Sequence, residues 1–296
     1  MTTSVLFCSD LLHPRRVDEH FAEQAADVRA AGADVVLLDH DALLAGRADE
    51  AVRRVPEGIG ALWYRGWMIP SDRYAALAGA LAVRGAHLVV DPERYRRAHE
   101  LPAWYGELEA LTPRSAWLPL GAGEDVTLGD VAGLLAGLGP GAGMVKDFVK
   151  SRKHEWHEAC YVPDLSDVGT ATRVIRQMLR LQGESLAGGV VVRAFEDYAR
   201  QGGRTLEARV WWLDGEVVAV VPHPDGPQVR LDPDVQRVRQ AVRRLGCRFI
   251  TTDMALRSDG EWRVVEVGDG QVSGLHAGPE AARILTALAA ADAILP

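Results

Sequence analysis

The sequence predicts an α/β protein, with a parallel sheet in its N-terminal part and an α+β arrangement in its C-terminal half. Two observations predict this. Up to about residue 110, short apolar runs alternate with helical periodicity, the pattern of a doubly wound parallel sheet. Beyond residue 200 the apolar runs come in pairs, joined by Asp214-Gly215 and Asp259-Gly260. Both dipeptides are strong hairpin signals.

The bulk numbers bound the class. A chain of 296 residues is long enough for a large core and two or three subdomains. A net charge of −8 argues against a general nucleic-acid or membrane-surface binder. No apolar run is long enough to cross a bilayer. The start, MTTSVLFCSD, lacks the basic and apolar regions of a signal peptide. Cys8, Cys160 and Cys247 are scattered and odd in number, which fits reduced thiols in the cytoplasm.

Taken in order, Val5–Cys8, Asp34–Asp39, Ala61–Tyr64 and His87–Val90 read as the strands of the first sheet. Helices are expected over Glu19–Ala31 and from an N-cap at Ser71 to Arg84. Doubly wound sheets place ligands at the carboxyl ends of their strands. Those ends carry Ser9-Asp10, Asp39-His40-Asp41, Arg65-Gly66-Trp67 and Asp91-Pro92. No GxGxxG follows the first strand, so a substrate-side role is expected rather than a dinucleotide site. Arg65 could grip an anionic group bidentately or pair with a nearby acid. The aromatics Trp104 and Tyr105 read as core. Pro and Gly then punctuate residues 111–143, marking a crossing into a second unit.

Lys146 and Lys150 share one face whether their segment is strand or helix, and Ser151, Arg152 and Lys153 extend the basic run. This face suits a polyphosphate, or is simply solvated. A helix starting at Ser166 or Asp167 and a strand over Val190–Phe195 follow. Glu207, Arg209 and Trp211 share one face of the next strand, with Leu206, Ala208, Val210 and Trp212 on the other. The Pro/Asp-rich loop 222–234 offers His223 and Arg230 as polar candidates. Val235–Leu245 and Gly278–Ala291 read as packing helices.

The last hairpin carries the sharpest chemical signal. A two-residue loop at Asp259-Gly260 puts Asp253 directly opposite Glu266, whereas an odd loop would shift the pair. Opposed carboxylates repel, so they imply a cation or a shared proton, unless both are solvated. Asp269 follows in a Gly-rich bend. Oxygen ligation by three carboxylates suits Mg²⁺ rather than zinc.

The strings VKDFVKS, EARVWWLDGEVV and VVEVGDGQ, in this order, resemble the ATP-grasp superfamily, and within it the clade named for an arginine and two lysines. The resemblance covers roughly residues 113–296, with YRGWM at Tyr64–Met68 a weak extension. It implies a pre-ATP-grasp domain over residues 1–112 and two ATP-grasp subdomains over 113–192 and 193–296. Lys146 resembles the lysine that contacts ATP phosphates, and Lys150 the second clade lysine near a phosphate-covering loop. Arg193, Phe195 and Glu196 match the strand that holds adenine and ribose. Arg209 resembles the arginine that meets the transferred phosphate, with Glu207 beside it on the ATP-facing side. Asp253 and Glu266 resemble the magnesium ligands. The family commonly has Asn where this chain has Gly268, which makes Asp269 the candidate third ligand. Arg65 and Arg230 are the substrate candidates.

The implied activity is an ATP- and Mg²⁺-dependent ligase. It would activate a carboxylate as an acyl-phosphate for attack by an amine on an amino acid, peptide or protein, releasing ADP. A phosphotransferase, a nucleotidyl-transferring RNA-end ligase and a non-catalytic ATP-binding module are the alternatives.

Overall fold

A computed structural model describes residues 3–276 and 278–292. The described residues build three four-stranded sheets and one two-stranded ribbon. The first holds β1 (Ser4–Cys8), β2 (Asp34–Leu38), β3 (Gly60–Arg65) and β4 (Ala86–Leu88) in the order β2-β1-β3-β4, all parallel. β1 is buried at every position, as an unbroken apolar run in a parallel sheet requires. Helices α1 (Ala22–Ala30), α2 (His40–Leu44), α3 (Ala48–Ala51) and α4 (Ser71–Val83) complete this layer. Ser71 opens α4 without capping it; its hydroxyl donates to Glu100 Oε1 at 3.2 Å instead. Asp91 caps α5 (Pro92–His99), whose first residue is the pre-set Pro92. α6 (Leu101–Leu108) follows and buries Trp104, as expected.

The second sheet is antiparallel, in the order β5 (Ser115–Pro119), β8 (Gly189–Ala194), β6 (Gly143–Asp147), β7 (Tyr161–Val162). Helices α7 (Leu128–Leu135) and α8 (Val168–Gln182), the latter capped by Asp167, pack on it. β8 crosses the division expected at residues 192/193. Short strands β9 (Arg200–Gln201) and β10 (Arg204–Thr205) lead to the third sheet, ordered β12 (Glu216–Pro222), β11 (Glu207–Leu213), β13 (Phe249–Leu256), β14 (Trp262–Asp269). The β11–β12 turn puts Asp214 and Gly215 at φ +51° and +76°, the paired positive values of a type I′ hairpin.

The period-two alternation divides this third sheet. Val210, Trp212, Ile250 and Met254 face α5, α6 and α9 (Val235–Leu245). On the other face, Trp211 and Phe249 join the core of the first sheet, together with α10 (Pro279–Ala290). Arg209 and Asp253 continue that second face past the end of the core. Two sheet faces therefore meet over a cleft, one from β6 and β8, the other from β11, β13 and β14. Among the described residues no helix is long and apolar enough to cross a membrane.

Asp253 and Glu266 are paired across β13 and β14 as expected, by a different route. The turn holds three residues, Ser258-Asp259-Gly260, with Arg257 N–H bonded to the Glu261 carbonyl at 2.8 Å. That odd loop pairs Met254 with Val264. A bulge at Val265 then shifts the register by one and restores Asp253 opposite Glu266.

Candidate functional site

The cleft encloses about 400 Å³, within the range of small-molecule sites, about 300–1,000 Å³. Its polar lining includes Lys146, Lys153, Arg193, Glu196, Glu207 and Glu266. At one end Trp156 and Phe195 line the wall. Their rings meet edge-on at 6.2 Å, and Tyr161 stacks on Trp156 at 5.3 Å. A flat apolar ligand would find π-faces there.

Lys146 projects from β6 and is buried; its Nζ donates to the Val149 carbonyl at 2.9 Å. Burial pushes its pKa down, and the charge of Glu266 opposes that. Lys150 does not share this face. β6 ends at Asp147, whose Oδ1 accepts the amides of Val149 and Lys150 and turns the chain. Ser151 then returns to pair with Lys146. Lys150 falls outside the cleft lining, and Lys153 takes the place in the cleft that strand periodicity assigned to it.

Arg193 borders the cleft, yet its guanidinium is committed inward. It donates to the Val265 carbonyl, Ser115 Oγ and Thr112 Oγ1 at 2.5, 3.1 and 2.7 Å. It thereby satisfies the carbonyl of the bulge residue. Glu196 accepts from Arg263 Nε and Nη2, both at 3.1 Å, and from the Tyr198 hydroxyl at 3.2 Å. Phe195, just past the end of β8, is 38% exposed and lines the cleft.

Arg209 holds Asp253 bidentately, with Nε–Oδ1 and Nη2–Oδ2 both 2.8 Å. Burial alone would raise the Asp253 pKa; the hydrogen bonds from Arg209 and His223 outweigh it and hold the carboxylate well below its ordinary range. His223 Nε2 stands 3.5 Å from Asp253 Oδ2 and 4.0 Å from Glu207 Oε1. Burial lowers the His223 pKa, but the Asp253 hydrogen bond and the Glu207 charge raise it on balance. Burial pushes Glu207 up, and His223 partly offsets this. Glu266 faces the cleft with no ion pair among the described residues.

Three expected site residues lie elsewhere. Asp269 is three residues from Glu266, an odd step on a strand, so its carboxylate turns to the opposite face. It is wholly buried there, beyond reach of the Asp253–Glu266 pair. Arg65 is also buried. It donates to Gln24 Oε1 at 2.7 Å and to the Gln271 carbonyl at 2.8 Å, so no fork is left for a substrate carboxylate. Arg230 is exposed on the loop after β12, outside the cleft lining. Conversely, sequence reasoning misses Lys153 and Trp156 as cleft-lining residues. The Asp147 turn signal ahead of Lys150 could have located them.

A family model described as an ATP-grasp domain, family 3 of the clade named for an arginine and two lysines, matches residues 135–290, more than half of the chain. The chain belongs to this clade of the ATP-grasp family. It is the clade the motif order suggests. Among solved structures, the chain resembles the D-cycloserine synthetase DcsG at TM-score 0.64 and 16% identity, over 97% of this chain and 98% of that one. A RimK-domain ATP-grasp protein from Sphaerobacter thermophilus follows at TM-score 0.58 and 15% identity, over 96% and 98%. The ATP-grasp ligase PsnB, complexed with precursor peptide PsnA2 and AMPPNP, gives TM-score 0.53 and 14% identity, over 91% and 89%. At these identities the likeness is one of fold. No protein with curated annotation matches the sequence.

The donor set in this ATP-grasp protein fits Mg²⁺. Asp253 and Glu266 are hard oxygen donors on neighbouring strands, and Glu266 is free of ion pairs among the described residues. Asp253 is held here by both arms of the Arg209 fork.

Proposed function

We propose that the protein is an ATP- and Mg²⁺-dependent ligase that activates a carboxylate as an acyl-phosphate for attack by an amine, with release of ADP. The observation that carries this reading is that Lys146, Lys153 and Glu266 line one nucleotide-sized cleft with aromatic residues in its wall, with Asp253 and Arg209 paired beside Glu266 on the neighbouring strands. Fold neighbours include a synthetase and the ATP-grasp ligase PsnB, which has been seen with a precursor peptide and with Mg and ADP.

In this reading Trp156 and Phe195 take the adenine face, and Glu196 lies along the same wall for the ribose. Lys146 and Lys153 hold phosphate oxygens as point charges. Asp253 and Glu266 would hold Mg²⁺, which supplies positive charge to the phosphate oxygens when bound. Arg209 passes from Asp253 to the transferred phosphoryl group, where its fork stabilises the spread negative charge. Closure of the 150–157 segment excludes water and protects the acyl-phosphate. The acceptor is an amine on an amino acid, peptide or protein, and the enzyme works in the cytoplasm.

Isothermal titration of ATP, with and without Mg²⁺, tests this on the wild type and Glu266→Gln. The expected result is Mg²⁺-dependent binding that the substitution weakens, followed by ADP release in an acceptor screen. Absence of ATP binding would remove the proposal. Release of AMP instead would replace it with nucleotidyl transfer.

A further inference from the structure

Arg209 presents a conflict that the ligase reading must resolve. It cannot serve a phosphate while both arms of its fork are on Asp253. When it leaves, Asp253 becomes a buried carboxylate, 3% exposed, without its main partner. Such a group needs another donor to keep its charge and its orientation. Among the described residues, only His223 besides Arg209 brings a donor group within 3.5 Å of that carboxylate.

His223 is built to stay in place. It is 8% exposed, just past the end of β12. Its amide donates to the Glu207 carbonyl at 2.9 Å, and its carbonyl accepts the Gly226 amide at 2.9 Å. The Asp225 amide donates to Nδ1 at 3.1 Å. That bond needs a lone pair on Nδ1, so the ring proton belongs on Nε2, the nitrogen facing Asp253 and Glu207. The ring can then donate to the carboxylate; the same Nε2 also lies with Glu207 and Asp253 in a group whose ligand atoms are within 4.8 Å of one another, and direct ligation through it would make both variants below lose metal affinity equally. In this structure an Arg209 Nη2 hydrogen points at the same Nε2 from 3.2 Å, so the Nε2–H bond to Asp253 belongs to the state in which Arg209 has left the carboxylate.

We propose that His223 is a positioning residue of the transfer centre, whose Nε2–H keeps Asp253 oriented for a divalent cation once Arg209 has moved to phosphate. The inference rests on the ligase reading above. His223 touches neither nucleotide nor metal; it acts through Asp253.

Two polar variants of similar size test this. In His223→Gln the side-chain amide nitrogen reaches the place of Nε2, whereas in His223→Asn it reaches only the place of Nδ1. The measurement is Mn²⁺ affinity in the presence of AMPPNP, by titration calorimetry or electron spin resonance of free Mn²⁺, with melting temperatures as a folding check. Loss of an orienting partner typically weakens metal affinity by about 10–100-fold. His223→Asn should lose about that much and His223→Gln should stay within about threefold of wild type, while metal-free AMPPNP affinity is unchanged in both. Equal Mn²⁺ affinity in wild type and His223→Asn, or equal losses in both variants, would overturn the role of His223. Failure of the wild type to bind AMPPNP with Mn²⁺ would instead overturn the ligase reading beneath it.

Discussion

Asp269→Asn should stabilise the protein, and more so as pH rises. The Asp269 side chain is 0% exposed. Its Oδ1 accepts the Gln271 amide at 2.8 Å, and its Oδ2 has no partner. Burial is the main influence and pushes its pKa from 3.8 up to about 7, against the hydrogen bonds from Gln271 and the charge of Arg65. Between those two values the folded protein keeps a proton that the unfolded chain has lost. Stability is therefore greatest below pH ~4, falls as pH rises toward 7, and levels off above it. The gap of roughly 3 pH units, at about 1.4 kcal/mol each, sets a cost of at most about 4 kcal/mol at pH 8. Asparagine has the shape and charge of the protonated acid and keeps the Oδ1 acceptor, so it does not carry this cost. Urea denaturation of both proteins from pH 4 to pH 9 should show equal stability at the acid end. A gap of a few kcal/mol in favour of Asp269→Asn should open by pH 8. A variant that is less stable at pH 8, or a gap that does not change with pH, would refute the argument and make Asp269 an ionised partner of Arg65.

Three other sets of substitutions separate neighbouring roles. Lys146→Ala should weaken ATP binding about 10–100-fold, as loss of a charge-assisted phosphate contact does; Lys153→Ala should also weaken it, whereas Lys150→Ala should change it less than about threefold, all measured by titration calorimetry. Arg193→Met strands the Val265 carbonyl and removes two further hydrogen bonds, which should cost about 3 kcal/mol or more in urea denaturation. Gly189→Ala places a Cβ 2.2 Å from the Leu118 carbonyl oxygen at φ +142°, and should cost at least about 2 kcal/mol by breaking the β5–β8 edge, visible as a lower melting temperature.

How much of this is legible in the sequence depends on the range of the interaction. The strands β1 to β3 announce themselves as apolar runs, and the hairpins by Asp-Gly turns, because both signals are local. The face shared by Glu207 and Arg209 follows from alternation alone. The pairing of Asp253 with Glu266 emerges from the sequence through the wrong loop length, since an odd turn and a bulge cancel. Asp269 could have been set aside on parity, as an odd step from Glu266. Lys150 needs recognition that the Asp147 carboxylate caps its own chain and ends the strand. Arg65 cannot be read at all: its partners Gln24, Gly270 and Gln271 come from distant parts of the chain. Local pattern says that an arginine stands at a strand end, and only the assembled fold says that its fork is full. The same holds for His223, whose role depends on strands β11 and β13 arriving beside it.

The bulge at Val265 also divides the last hairpin into two separately anchored halves. On the cleft side of the bulge, pairing is anchored by Arg193 reaching in from another sheet. On the far side, Arg263 is tied to Glu196 and to the Ala110 and Thr112 carbonyls, and the Ser258 amide to the Asp197 carbonyl. A change of length at residues 258–260 meets these anchors first, so it would be absorbed before it reached Glu266, leaving the carboxylate pair insulated from the turn of its own hairpin.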